Sequence, residues 1–194
     1  EPSSQPADGD YRLQTLASDV IAWLDDLEVE RCHLVGHDWG AIVSYSVAAK
    51  APERLHSLTT LAVPHIGRML RVMPIKRPNQ LALSWYILFF QLRGIAEYAL
   101  SRDDWALVDR LWRRWSPNFE LPESERAALK QVLAQPGVKR AMLAYYRSLP
   151  RAWVDKESRA QLFKPIEVPT LALTGAHDGC MDTRLFDDLM RPAD

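Results

Sequence analysis

The chain has 194 residues, enough for one domain with at most one insertion, and 47% of them are apolar, enough for a sizeable core. A formal net charge of -1 gives no electrostatic case for nucleic acid or an anionic membrane surface as partner. The longest nearly apolar stretch, Leu81 to Leu92, is too short to span a bilayer.

The opening Glu1-Pro2-Ser3-Ser4-Gln5-Pro6 is loop-like and does not start with Met, so no targeting segment is judged from it. From about Tyr11 to Leu27, Leu13, Leu16, Val20, Leu24 and Leu27 recur at helical spacing, with Ala17 and Trp23 flanking the stripe. A short apolar strand is expected over Cys32 to Val35. Gly36-His37-Asp38-Trp39-Gly40 follows, and then a helix of small and apolar residues runs to about Lys50, where Ala51-Pro52 stops it. Leu58 to Val63 reads as a second strand ending at Pro64, and Thr170 to Thr174 as a third, between Val168-Pro169 and Gly175. A last short helix is expected over Leu185 to Met190. Strands alternating with helices predict an α/β fold with a parallel sheet.

About a hundred residues of helical character separate the second and third strands, rich in Leu, Trp and Arg and punctuated by Pro74, Pro78, Pro117, Pro122, Pro136 and Pro150. That is too long for a crossover helix and predicts an all-α lid over residues 65–160, inserted between core segments 1–64 and 161–194. Trp85, Trp105, Trp112, Trp115 and Trp153 lie in it, and most of them are expected to form its own core. The basic pairs Arg113-Arg114 and Lys139-Arg140 read as solvated helix faces. Cys32 and Cys180 flank opposite ends of their strands. In a parallel sheet their thiols lie roughly 15–20 Å apart, too far for a disulfide. This fits a reducing compartment such as the cytoplasm.

The segment from Cys32 to Tyr45 resembles the strand–elbow–helix unit of α/β-hydrolases, with Asp38 at the nucleophile position. The physics of an elbow explains these residue types. The nucleophile sits on a strained turn, and Gly36 and Gly40 would keep neighbouring atoms away. The helix N-terminus would favour the ionised carboxylate of Asp38, and the N–H of Trp39 would contribute to an oxyanion hole. An ordinary turn with Asp38 as helix N-cap is the plainer alternative. A carboxylate nucleophile suits the opening of a strained C–O or an activated C–halogen bond through an alkyl-enzyme ester.

Four features in one order resemble the epoxide hydrolase branch of this superfamily. They are His37-Asp38-Trp39-Gly40; Val63-Pro64-His65; Trp85-Tyr86-Ile87-Leu88-Phe89-Phe90-Gln91 together with Tyr145-Tyr146-Arg147; and Leu173-Thr174-Gly175-Ala176-His177-Asp178. The resemblance covers essentially the whole chain and implies a partial α/β-hydrolase fold with a cap. It implies that Asp38 attacks an epoxide carbon and that Tyr86 and Tyr146 hydrogen-bond the leaving oxygen. It further implies that Asp178 orients a histidine base. Trp39, His37 and Phe90 would line the substrate pocket. Tyr145, adjacent to Tyr146, is the residue most easily confused with it.

The resemblance implies no cofactor and no metal, and a small apolar epoxide as partner. It leaves the assembly open, a homodimer included. The family's histidine base would lie beyond Asp194, and its second oxyanion-hole loop upstream of Glu1. The chain therefore reads as an internal fragment with an open sheet edge beside Leu34-Val35. It would be marginally folded alone and able to form the ester without turning over.

Two rivals follow from the same residues. In a haloalkane dehalogenase, the indole of Trp39 would cradle the halide; the two tyrosines favour the epoxide. A fluoroacetate-type enzyme is disfavoured by Trp39 where an Arg would follow the nucleophile. A non-catalytic carrier of hydrophobic ligands is the alternative outside enzymes. The absence of Ser from the elbow disfavours a serine esterase.

Overall fold

A computed structural model describes residues 5–6 and 9–190 of the chain. Its framework is a parallel sheet of β1 (Cys32–His37), β2 (Leu55–Leu61) and β3 (Thr170–Leu173), in the order β1-β2-β3. The register sets Leu34 beside Leu58 and Thr170, and Gly36 beside Thr60 and Ala172. Alternation then gives the sheet two unlike faces.

The covered face rests on α1 (Leu13–Asp26) and α2 (Trp39–Lys50). Seven of the twelve residues of α2 are buried, among them Ala41, Val47, Ala48 and Ala49, because the helix is wedged between sheet, α1 and the helices above. Tyr45 Oη and Thr60 Oγ1, both buried, satisfy each other at 2.8 Å. The opposite face carries Val35, Leu171 and Leu173, which remain 64%, 54% and 42% exposed. β1 and β3 are the edges of the sheet formed by the described residues.

The element bounds differ from expectation at few places. β2 starts at Leu55, three residues early, because the 3-10 turn Pro52–Arg54 already delivers Leu55 in extended geometry. The buried stripe of α1 is rotated from the expected one. Ala17 and Leu24 are buried against α2, whereas Trp23 and Leu27 point outward at 63% and 71% exposure. The small Ala17 is what lets the two helices approach closely.

Between β2 and β3 the chain is helical: α3 (Ile66–Lys76), α4 (Asn79–Leu83), α5 (Trp85–Phe89), α6 (Ile95–Ser101), α7 (Ala106–Trp115), α8 (Glu123–Ala134), α9 (Val138–Val154) and α10 (Lys156–Leu162). The first and last of these lean on the core. Met69 and Met73 of α3 share an apolar cluster with Leu185, Phe186 and Leu189 of α11 (Arg184–Met190), and Gln161 and Lys164 bond to carbonyls of α2. A separate cluster is built from Tyr86, Phe90, Ala96, Leu100, Trp105, Leu111, Leu133 and Leu143. This cluster, the underside of the cap, contains Trp105, with Trp115 packed on it, while Trp85 is exposed. The side chain of Trp153 lies outside the described residues. No helix among the described residues is long and apolar enough to cross a membrane.

An ion pair ties cap helices α6 and α9 together. Arg147 donates from Nη1 and Nη2 to the two Glu97 oxygens at 2.6 and 3.0 Å, and from Nε to the Phe90 carbonyl at 2.9 Å. Glu97 also accepts the Gly94 N–H at the start of α6. Hydrogen bonding from Arg147 holds the Glu97 carboxyl down at about 2. A carboxylate depressed in this way contributes stability that is complete above its unfolded value of 4.5 and is lost as pH falls through about 2. Glu97→Gln should therefore lower Tm at pH 7, with the gap to wild type closing between pH 4.5 and about 2. Thermal melts across that range test this; a gap independent of pH would contradict it.

Candidate active site

Asp38 follows β1 directly, and its backbone has φ 52° and ψ -119°, a conformation L residues rarely adopt. Its N–H donates to the Leu61 carbonyl of β2, and its own carbonyl accepts from Ala41 and Ile42. The turn is tight because Gly36 lies against α2. A Cβ on Gly36 would stand 2.4 Å from both the Gly40 carbonyl oxygen and Ser44 Oγ. Gly40 needs no such space, since a Cβ there would meet nothing within 4 Å. The crowding expected at both glycines is confined to the first. The Asp38 carboxylate makes no capping hydrogen bond to α2. It is not an ordinary N-cap, and it is free to face the cavity above.

That cavity, of about 430 Å³, lies between core and cap. Asp38, Trp39, Tyr86, Tyr146 and Asp178 all line it. The rest of its wall is largely apolar, with Ile66, Met69, Leu70, Ile87, Leu88 and Leu149 among the residues lining it. The two tyrosines come from different cap helices, α5 and α9, and their rings meet edge to face at 5.7 Å. Tyr146 also stands edge-on to Trp39 at 5.2 Å. Gln91 fixes the spacing of the two helices by donating to the carbonyls of Ile87 and Tyr146.

Burial pushes the Tyr86 phenol well above its ordinary value and the Tyr146 phenol up to about 12, with the Asp38 carboxylate adding to both shifts. Both hydroxyls stay protonated over the neutral range and are available as donors. On the far side of Asp38 and Trp39 a wider groove of about 880 Å³ is lined by Tyr11, Trp23, Leu27, Val35 and Tyr145. Tyr145 stacks between Tyr11 and Trp39. It shares this groove with Asp38 and Tyr146 but does not line the smaller cavity with Tyr86 and Asp178.

Asp178 reaches the cavity from the loop after β3. Its Oδ1 accepts the N–H groups of Cys180 (2.7 Å) and Met181 (2.9 Å), which fixes the carboxylate. Gly179 is required here, because a Cβ would sit 1.8 Å from the Arg114 carbonyl oxygen at the end of α7. Its N–H donates to the Trp115 carbonyl.

Two expected pocket residues lie elsewhere. Phe90 is buried behind the cavity, packed on Tyr86 and Tyr146 at 5.7 and 4.9 Å, and so supports the tyrosines without lining the wall. His37 belongs to the uncovered sheet face, because strand alternation turns it away from the cavity floor. None of the five histidines lines the cavity. His65 caps α3 by accepting the Arg68 N–H at Nδ1, and burial lowers its pKa.

The sequence reading passed over Gln80, Cys180 and Met181. Cys180 and Met181 were within reach, standing two and three residues after Asp178 on one loop. Gln80, from α4, carries no local signal; only the tertiary contact with that loop reveals it.

Residues 1–188 match the alpha/beta hydrolase fold family. The chain is 30% identical, over 93% of its length, to an AB hydrolase superfamily protein of Bacillus subtilis, of which it covers 61%. It is 32% identical to epoxide hydrolase 2 of Caenorhabditis elegans, over 90% of this chain and 49% of that protein. It thus spans about half to three-fifths of the length of these curated relatives. Its backbone matches that of an epoxide hydrolase from Bacillus megaterium with a TM-score of 0.75 at 24% identity, covering 95% of this chain and 66% of that one. With nearly the whole chain matched by the family model, this protein belongs to the alpha/beta hydrolase fold family.

Proposed function

We propose that this chain carries the reacting groups of an epoxide hydrolase that converts an apolar epoxide to a vicinal diol. One observation carries the reading. A carboxylate on a strained elbow and two phenols from separate cap helices, one buried and one half-buried, line the same apolar cavity. An Asp38 oxygen attacks an epoxide carbon, the C–O bond breaks, and its electron pair moves to the oxygen. Tyr86 and Tyr146 stabilise that oxygen by hydrogen bonding and can supply its proton. The product of this step is a hydroxyalkyl ester of Asp38. Water adding to the ester carbonyl then releases the diol and restores the carboxylate; in this reading Asp178 orients the base for that water. The kinship with epoxide hydrolases supports this reading.

The test is intact mass after incubation with a small aryl epoxide and, separately, with a haloalkane. Gain of the whole epoxide mass, mapped to Asp38, is expected. A second reading, haloalkane dehalogenation, draws on the Trp39 indole in the cavity wall. It would be favoured if only the haloalkane reacted, leaving its alkyl group without the halogen.

A further inference from the structure

The loop after β3 carries a group that the proposed chemistry does not use. Cys180 lines the same cavity as Asp38 and Tyr146, and its Sγ stands 3.3 Å from Tyr86 Oη. The backbone on both sides of it is fixed. Gln80, only 1% exposed, donates from Nε2 to the Cys180 carbonyl (3.0 Å) and accepts the Asp182 N–H at Oε1 (2.7 Å). Asp178 accepts the N–H of Cys180 itself, and Gly179 donates to Trp115. The thiol therefore meets the phenol at a set position.

We infer that Cys180 is a positioning residue for ring opening, its S–H donating to Tyr86 Oη and so turning the single phenolic proton toward the epoxide oxygen. This rests on the epoxide reading above. A phenol has one proton and can accept as well as donate. If Tyr86 donates to sulfur, it is idle toward substrate. If sulfur donates to Tyr86, the phenolic proton is free for the cavity, and the chain S–H···O–H···O polarises cooperatively as the leaving oxygen gains charge. Burial pushes the Cys180 thiol up to about 11, so it holds its proton across the neutral range and is a poor competing nucleophile. The sulfur of a thiol is a weaker acceptor than an epoxide oxygen, so with an epoxide present the phenolic proton goes to the substrate and leaves Tyr86 Oη to accept from the thiol.

Two measurements test the pair. The first is the infrared S–H stretch of Cys180, identified as the band lost in Cys180→Ala. A donating thiol absorbs at lower frequency than a free one, so Tyr86→Phe should move the band up. The second is the single-turnover rate of Asp38 esterification by an aryl epoxide. Cys180→Ala should slow it about five- to tenfold, in keeping with loss of one modest hydrogen bond, and Cys180→Ser should restore it to within about threefold of wild type. In the Tyr86→Phe background, Cys180→Ala should add no further loss.

A band already at the free-thiol frequency and unmoved by Tyr86→Phe overturns the proposal, whatever the epoxide does. So does an equal slowing by Cys180→Ala in both backgrounds, which would mark a packing effect. Absence of any ester in the wild-type chain alongside a shifted band would instead overturn the epoxide reading, and with it the proposed role in ring opening, while leaving the hydrogen bond in place.

Discussion

Asp38→Ala is expected to abolish covalent capture of an epoxide, with the rate of adduct formation falling by about 10⁴-fold or more, as when an enzyme loses its nucleophile. The cavity should survive the change. Asp38 makes no side-chain cap bond, and its backbone bonds to Leu61, Ala41 and Ile42 do not depend on the carboxylate. Alanine would be as strained as aspartate at φ 52°, so Tm should hardly move. Asp38→Gly provides the companion measurement. It should be equally inert yet more stable, by about 1 kcal/mol, because glycine relieves the strain. A variant that is more stable and inactive would identify Asp38 as a residue kept for chemistry at a cost to the fold. Wild-type adduct formation by Asp38→Ala would dismiss it as the nucleophile.

The second large effect concerns the phenols. Tyr86→Phe and Tyr146→Phe should each slow epoxide opening about 10²-fold, as for the loss of one preorganised donor to a developing oxyanion. The double variant should be slower still. Displacement of halide from a haloalkane, if Asp38 supports it, should be nearly unchanged, because a departing halide needs no proton. Tyr145→Phe is the matched control. It sits one residue from Tyr146 but packs between Tyr11 and Trp39, and it should leave both reactions alone. Single-turnover rates for the two substrate classes decide the matter. Parallel losses for epoxide and haloalkane in the tyrosine variants would point to damaged packing.

Much of this arrangement was legible in the residues because it is local. The elbow is contiguous: strand, Gly36, Asp38 and small-residue helix follow one another without a break, and only the choice between elbow and ordinary N-cap was left to the structure. The acid loop is equally local: β3 ends and Asp178 follows within a few residues. The cap tyrosines were found through motif resemblance, since helical periodicity alone gives no reason to prefer Tyr146 over Tyr145. Their difference is one of helix rotation, about 100° per residue, which is settled by what α9 packs against. His37 was misplaced because it adjoins Asp38 on a strand, where neighbouring side chains point to opposite faces. Phe90 shares a helix face with Tyr86, four residues earlier, but packs against that ring behind the wall. The rotation of α1 was missed because Ala17 contributes little hydrophobicity to a stripe yet permits the closest approach. Gln80 was invisible because its meaning lies in a partner about a hundred residues away.

The Asp178 loop forms a seam between the two layers of the molecule. By chain order Asp178 belongs to the segment after β3, yet Gln80, Trp115 and Tyr86 hold its loop from the cap side. Met181 of the same loop packs into the core cluster with Ala41 and Val63, so the loop is clamped by core and cap together. The wall of the cavity at Asp178 thus depends on both layers being in place, and damage to either should be felt there.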